Sequence, residues 1–107
     1  MNVFELQAEL PQNEEHLDVL LQDTEQKVRI ERIVSTGQAS PPGFWYDQSQ
    51  NEWVMLLQGQ AGLAWEDGTV MPLKKGDWVF IPAHKRHRVT RTSKEPPCIW
   101  LAVYYGG

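Results

Sequence analysis

The sequence predicts an all-β domain, antiparallel and folded as a sandwich or barrel, on three observations. Fourteen of its fifteen Gly and Pro residues fall from Gly37 onward, and only Pro11 interrupts the chain before that point. This punctuation isolates short β-friendly runs at 52–58, 61–66, 69–73, 78–81, 87–92 and 99–105. No helical periods alternate with these runs, which argues against a βαβ sheet. A length of 107 residues suits one domain, and its apolar content is enough for a core without disulfides or structural metal.

Taken in order, the chain begins with an extension, 1–26, containing one expected short helix over 14–21. Asn13 can cap that helix, Glu14 and Glu15 suit its positive end, and Leu17, Leu20 and Leu21 form a stripe at helical spacing. Residues 27–35 read as a strand, with Val28, Ile30 and Val34 on one face and Arg29 and Glu31 on the other. Asp67-Gly68 marks a two-residue hairpin between the runs on either side. Two strands are apolar on both faces: Trp53, Met55 and Leu57 oppose Val54 and Leu56, and Trp100, Ala102 and Tyr104 oppose Ile99, Leu101 and Val103. The amino-terminal helix can cover part of the outer face, and a second copy of the chain can cover the rest, so a homodimer is expected.

Charge and cysteine content narrow the function classes. A formal charge of −4 disfavours nucleic acid or an anionic bilayer as the main partner, and points to a small-molecule ligand. The basic cluster HKRHR, 84–88, reads as a solvated edge on an acidic domain. The single cysteine, Cys98, allows no internal disulfide and fits a cytoplasmic setting as a buried small hydrophobe. The amino terminus has no basic region followed by an apolar stretch, and no run approaches a membrane span, so neither export nor insertion is expected.

The stretch GDWVFIPAHKRH resembles the second conserved motif of the cupin family, which runs Gly, five residues, Pro, one residue, Gly, two residues, His, three residues, Asn. Gly76, Pro82 and His87 occupy matching positions, while His84 stands in the second Gly slot and Arg91 in the Asn slot. Upstream, EWVMLLQG resembles the end of the first motif, with Glu52 and Gly59 in place. The resemblance implies a single cupin-type antiparallel β-barrel, a double-stranded β-helix or jelly roll, over 27–107. It also implies a divalent transition metal, held in the family by a His-x-His pair, a Glu and a later His. Here the first two slots hold Tyr46 and Gln48, or Trp45 and Asp47, depending on the gap.

What remains is His87 and Glu52, each beginning a strand and able to point inward. An imidazole and a carboxylate in an apolar barrel must pair, meet water or bind a cation. With His84 and Asp47 they make a candidate site for iron, manganese, nickel or zinc. Tyr46, Gln48, Trp45, Trp65 and Arg91 are candidate substrate contacts. Each residue has a competing structural use: Glu52 in a salt bridge to Arg91 or Arg88, His87 as a hydrogen-bonded inward side chain, Asp47 and Gln48 in a turn, and Trp45 and Tyr46 in packing.

Three functional readings follow. The first is a metal-dependent oxygenase, isomerase or lyase. The second is a non-enzymatic binding or sensing cupin with a decayed metal site. The third is a metal-free epimerase-like enzyme with His87 as general base and Tyr46 as proton donor.

Overall fold

The computed structural model describes residues 2–107. Among them run eight strands, β1 (His16–Asp23), β2 (Val28–Ser35), β3 (Asn51–Gln58), β4 (Gln60–Trp65), β5 (Val70–Lys74), β6 (Trp78–Ile81), β7 (His87–Thr92) and β8 (Cys98–Tyr105). They form two antiparallel sheets, one of order β1-β2-β8-β3-β6 and one of order β5-β4-β7. The runs past Gly37, and the strand before it, appear as expected with boundaries shifted by at most one or two residues.

The amino-terminal helix does not exist. No helix of any kind occurs among the described residues, and the segment is strand β1, paired antiparallel to β2 from His16↔Val34 to Asp23↔Val28. A bulge between Val19 and Leu21 explains the misreading. The extra residue, Leu20, breaks a period-2 pattern and places Leu17, Leu20 and Leu21 at a spacing that mimics a helical stripe. An isolated eight-residue helix is marginal in water, whereas pairing with β2 gives the segment a hydrogen-bonded ladder along one edge.

The β4–β5 hairpin also differs in kind from the expected two-residue turn. Gly68 N–H donates to Trp65 O at 3.0 Å and Trp65 N–H to Thr69 O at 2.9 Å, giving a three-residue loop. Gly68 adopts φ +95° while Asp67 is not among the positive-φ residues. Only the glycine needs left-handed space here, as in a type I turn closed by a bulge. Asp67 Oδ1 instead accepts from Thr69 N–H at 2.8 Å, which holds its carboxyl below the usual range.

Gly59 is where the chain leaves the large sheet for the small one. It has φ +90°, and a Cβ there would stand 2.7 Å from Ser93 Oγ and 2.9 Å from Cys98 Sγ. Between the sheets lie Val54, Leu56, Ile81, Trp100 and Ala102 from one side and Ala61, Leu63 and Leu73 from the other. Each large aliphatic side chain among them contributes about 1.5–3 kcal/mol by leaving water. Trp100 Nε1 donates to Ser35 Oγ at 3.0 Å, so the indole is buried without an orphan donor.

The register also sets an apolar outer face on the large sheet. One row runs Leu21, Ile30, Val103, Trp53, Phe80, and the next runs Asp18, Arg32, Leu101, Met55, Trp78. Trp78 is 58% exposed and Phe80 42%. At one margin buried Arg32 donates to Asp18 and to the Val3 and Glu5 carbonyls, which ties the amino-terminal segment to the sheet. The Arg32 guanidinium holds the Asp18 carboxyl below its ordinary value.

Candidate ligand-binding site

A cavity of about 160 Å³ opens between the sheets at one end of the core. Its wall is mostly apolar, with Leu17, Ile33, Val54, Leu63, Ile81, Val89 and Trp100, and its polar groups are Glu15, Glu31, Tyr46, Gln48, Glu52, His87 and Tyr104. Apolar walls with a few convergent polar groups are the usual form of a small-ligand site, and this volume lies below the drug-sized range.

Glu52 is the second residue of β3 and His87 opens β7, so the two come from different sheets. The pairing Glu52↔Ile81 turns the carboxylate inward beside a core residue, and Trp65↔His87 brings the imidazole to the facing sheet. Glu52 is 6% exposed and His87 5%. Glu52 Oε1 and His87 Nε2 stand 3.8 Å apart, too far for a direct hydrogen bond. His87 Nδ1 lies 3.0 Å from the Lys85 carbonyl and donates to it. In the neutral ring, Nε2 is then the acceptor that faces the cavity. It has no hydrogen-bond partner among the described residues.

Gln48 Nε2 donates to Glu52 Oε1 at 2.9 Å. Burial is the largest influence on the Glu52 carboxyl and raises its pKa, with Glu31 adding to the rise and Gln48, His87 and Tyr104 opposing it. Burial, with Glu52 and Glu31 nearby, pushes the Tyr104 phenol well above its ordinary range. Glu31 is 6% exposed, and Arg29 Nε donates to its Oε2 at 2.7 Å. Arg29 also lies 4.6 Å from the centre of the Tyr104 ring.

The segment between β2 and β3 is laced to the free edge of β7. Tyr46 N–H donates to His87 O at 2.7 Å, His87 N–H donates back to Tyr46 O at 3.2 Å, and Ser40 N–H donates to Val89 O at 2.9 Å. This covers an otherwise open strand edge and brings Tyr46 and Gln48 to the cavity. Burial raises the Tyr46 pKa, and Glu15 and Glu52 add to the rise.

Of the expected metal set, only Glu52 and His87 meet. His84 and Asp47 pair with each other on the surface, Nδ1 to Oδ1 at 2.7 Å, with side chains 69% and 49% exposed. His84 keeps the backbone of the glycine it replaces, with φ 64°, and its N–H donates to Gln48 O at 2.7 Å. That geometry turns its ring away from the cavity. Among the described residues no three His, Cys, Asp or Glu side chains are placed to hold a metal ion. Tyr46 and Gln48 reach the cavity at the first-motif positions, and Gln48 spends its amide N–H on Glu52. The residues do not fit the family's divalent transition metal, and the expectation of iron, manganese, nickel or zinc, with its metal-binding assignment, is corrected on these grounds.

Of the expected substrate contacts, Tyr46 and Gln48 line the cavity and three residues do not. Trp45 lies against Arg88, 5.9 Å from guanidinium carbon to ring centre. Trp65 carries Lys85 over its ring at 4.0 Å and meets His87 edge-on at 6.3 Å between centroids. Arg91 is exposed opposite Gly62. Neither arginine pairs with Glu52, since Arg88 donates to Ser40 O at 2.8 Å. The acid–base arrangement across a substrate is not formed either, because Tyr46 and His87 rings stack on one another at 5.4 Å.

Sequence reasoning missed Glu15, Glu31, Trp100 and Tyr104. The signal for Glu31 was its place two residues from Arg29 and Ile33, on the same face of β2, and the pairing of Ile33 with Trp100 shows that this face is the inner one.

No curated protein matches the chain. Among solved structures, a Ralstonia eutropha JMP134 protein provisionally described as a mannose-6-phosphate isomerase is similar, with 44% identity, a TM-score of 0.88, and coverage of 100% of this chain and 97% of that one. A cupin superfamily protein from Desulfitobacterium hafniense DCB-2 is 20% identical, with a TM-score of 0.74 and coverage of 92% and 84%. A Streptococcus pyogenes protein of unknown function is 18% identical, with a TM-score of 0.72 and coverage of 92% and 80%. The last two share the fold. The cupin-domain family pattern matches residues 32–104, which span both motifs, the Glu52–His87 pair and the strands that carry them, and the chain therefore belongs to the cupin family.

Proposed function

We propose that this cupin is a metal-independent small-molecule binding module. The observation that carries this reading is an apolar cavity into which a buried, raised-pKa carboxyl and an unpartnered imidazole nitrogen both point, 3.8 Å apart. Buried polar groups in apolar surroundings are costly unless a partner meets them, and a bound ligand supplies one. The first-motif positions support recognition rather than metal chemistry, because Tyr46 and Gln48 offer a ring and an amide to the cavity.

The Ralstonia relative raises hexose phosphate as a ligand. No Lys or Arg lines the cavity, while three carboxyl groups do, which disfavours a phosphate dianion. The test is tryptophan fluorescence of chelator-treated protein titrated with small amines, alcohols, acids and mannose 6-phosphate. Trp100 lines the cavity, so saturable quenching without added metal is expected. Strict dependence on an added divalent ion overturns the reading.

The outer face supports a second part of the proposal, a homodimer. The outward residues of β8, β3 and β6, namely Leu101, Val103, Trp53, Met55, Trp78 and Phe80, include no charge, and the Asp18–Arg32 pair at the margin is internally neutralised. A charged partner has nothing to read there, whereas a two-fold contact needs only a self-complementary apolar patch. Sedimentation is expected to show a dimer that Trp78→Lys converts to monomer. A monomer at high concentration in the unsubstituted protein contradicts it.

A further inference from the structure

The polar groups of the cavity share one chemical character. Glu15, Glu31 and Glu52 are hydrogen-bond acceptors when ionised, and in the neutral ring His87 Nε2 is an acceptor because Nδ1 already donates to Lys85 O. No Lys or Arg lines the space, and Arg29 beside it is engaged by Glu31 and lies over the Tyr104 ring. Tyr46, Trp100 and Tyr104 add aromatic faces, which attract positive charge.

The gap between the two deepest acceptors has a definite use. One nitrogen placed about 2.9 Å from each of two acceptors bridges a separation of 3.8 Å, which is too long for those acceptors to satisfy one another. The bridging atom must donate twice, which a hydroxyl cannot do and an ammonium can. Beyond it, Leu17, Ile33, Val54, Leu63, Ile81 and Val89 leave room only for a small apolar body.

We propose that the ligand selected by this cavity is a small primary ammonium with an apolar body, its nitrogen seated between Glu52 and His87. This rests on the reading of the barrel as a binding module and adds its ligand class.

Charge state gives a second handle on the same site. Glu52 is faced by Gln48 from the loop before β3, Glu31 with its partner Arg29 from β2, Tyr104 from β8, His87 from β7 and Tyr46 at the rim. A cation in the cavity favours the ionised carboxylate. Binding therefore tightens as pH rises through the raised Glu52 range, up to the deprotonation of the amine itself.

The experiment titrates the full chain, freed of metal by chelation, with n-butylammonium, n-butanol, butyrate and mannose 6-phosphate, following the Trp100 indole N–H by NMR. n-Butylammonium is expected to bind about tenfold or more tightly than n-butanol, as one charge-assisted contact predicts. Butyrate is expected to bind most weakly of the butyl series. Glu52→Gln should abolish the preference for the amine, and in the unsubstituted protein affinity for n-butylammonium should rise from about pH 5 to about pH 8. Tighter binding of n-butanol, butyrate or mannose 6-phosphate overturns the ammonium assignment and leaves the binding reading standing. If none of the four perturbs Trp100, both fall.

Discussion

Tyr46 and His87 are joined three ways: each donates a backbone hydrogen bond to the other, at 2.7 and 3.2 Å, and their rings stack with centroids 5.4 Å apart. The loop before β3 is thereby fastened to β7, and the imidazole is held with Nε2 toward Glu52.

The backbone part of this link survives substitution, but the stack does not. Tyr46→Ala should cost about 1 kcal/mol in urea denaturation, as for other aromatic pairs, and weaken ligand binding about tenfold by opening the cavity rim. Tyr46→Phe should keep both near the original values. Equal losses in the two variants would show that the hydroxyl, rather than the ring, matters.

Glu52 predicts a pH dependence of stability with a definite sign. Its folded-state pKa lies above the ordinary 4.5 because of burial, so over that window the folded chain holds more proton than the unfolded one. Stability should therefore fall as pH rises from the ordinary value through the raised one. Glu52→Gln removes this titration and keeps an oxygen for Gln48. The variant is expected to match the parent near pH 4 and exceed it at neutral pH by about 1 kcal/mol, or about 4–8 °C in Tm. A difference that is constant with pH contradicts the assignment.

His84 carries a glycine-type backbone, φ 64°, on a side chain with a Cβ. Relief of that strain is worth about 1–2 kcal/mol, and the exposed Asp47 pair it would lose about 0.2–1 kcal/mol. His84→Gly should thus be neutral or stabilising in urea titrations, while β-branched His84→Val destabilises. Amine binding should be unchanged in His84→Gly. Its loss would place His84 in the site after all.

Gly62 lies in β4 where a Cβ would stand 2.3 Å from Thr90 Oγ1. Gly62→Ala should cost about 1–3 kcal/mol by overpacking. Thr90→Ala removes the clashing oxygen, so the double variant should recover most of the loss, with a coupling above about 0.5 kcal/mol in a double-mutant cycle. Additive losses would locate the strain elsewhere.

Much of the fold was legible because turns and alternation are local. Gly59, Gly68 and the proline-punctuated runs marked six of the eight strands, alternation marked β2, and both motif fragments, Glu52 to Gly59 and Gly76 to His87, fell on the elements that build the cavity. The failure at 14–21 had a local cause too, since the unpaired bulge residue Leu20 imitates helical spacing, and the strand that β1 pairs with, β2, lies further on in the chain. The candidate site was legible only in part. Glu52, His87, Tyr46 and Gln48 were found, whereas His84 and Asp47, adjacent to them in the chain, face solvent, and Trp65 turns its ring to Lys85.

By itself the sequence determined the all-β class, the strand spacing and the two residues near strand starts, an acid and an imidazole, that meet inside. Those depend on φ preferences and on a two-residue period, both written in short stretches of chain. Only the tertiary structure decided that the first segment is a strand, that Glu31 and Tyr104 share the cavity with Glu52, and that no metal set assembles there. Those outcomes turn on register between strands far apart in sequence, where a one-residue slip sends every side chain to the opposite face.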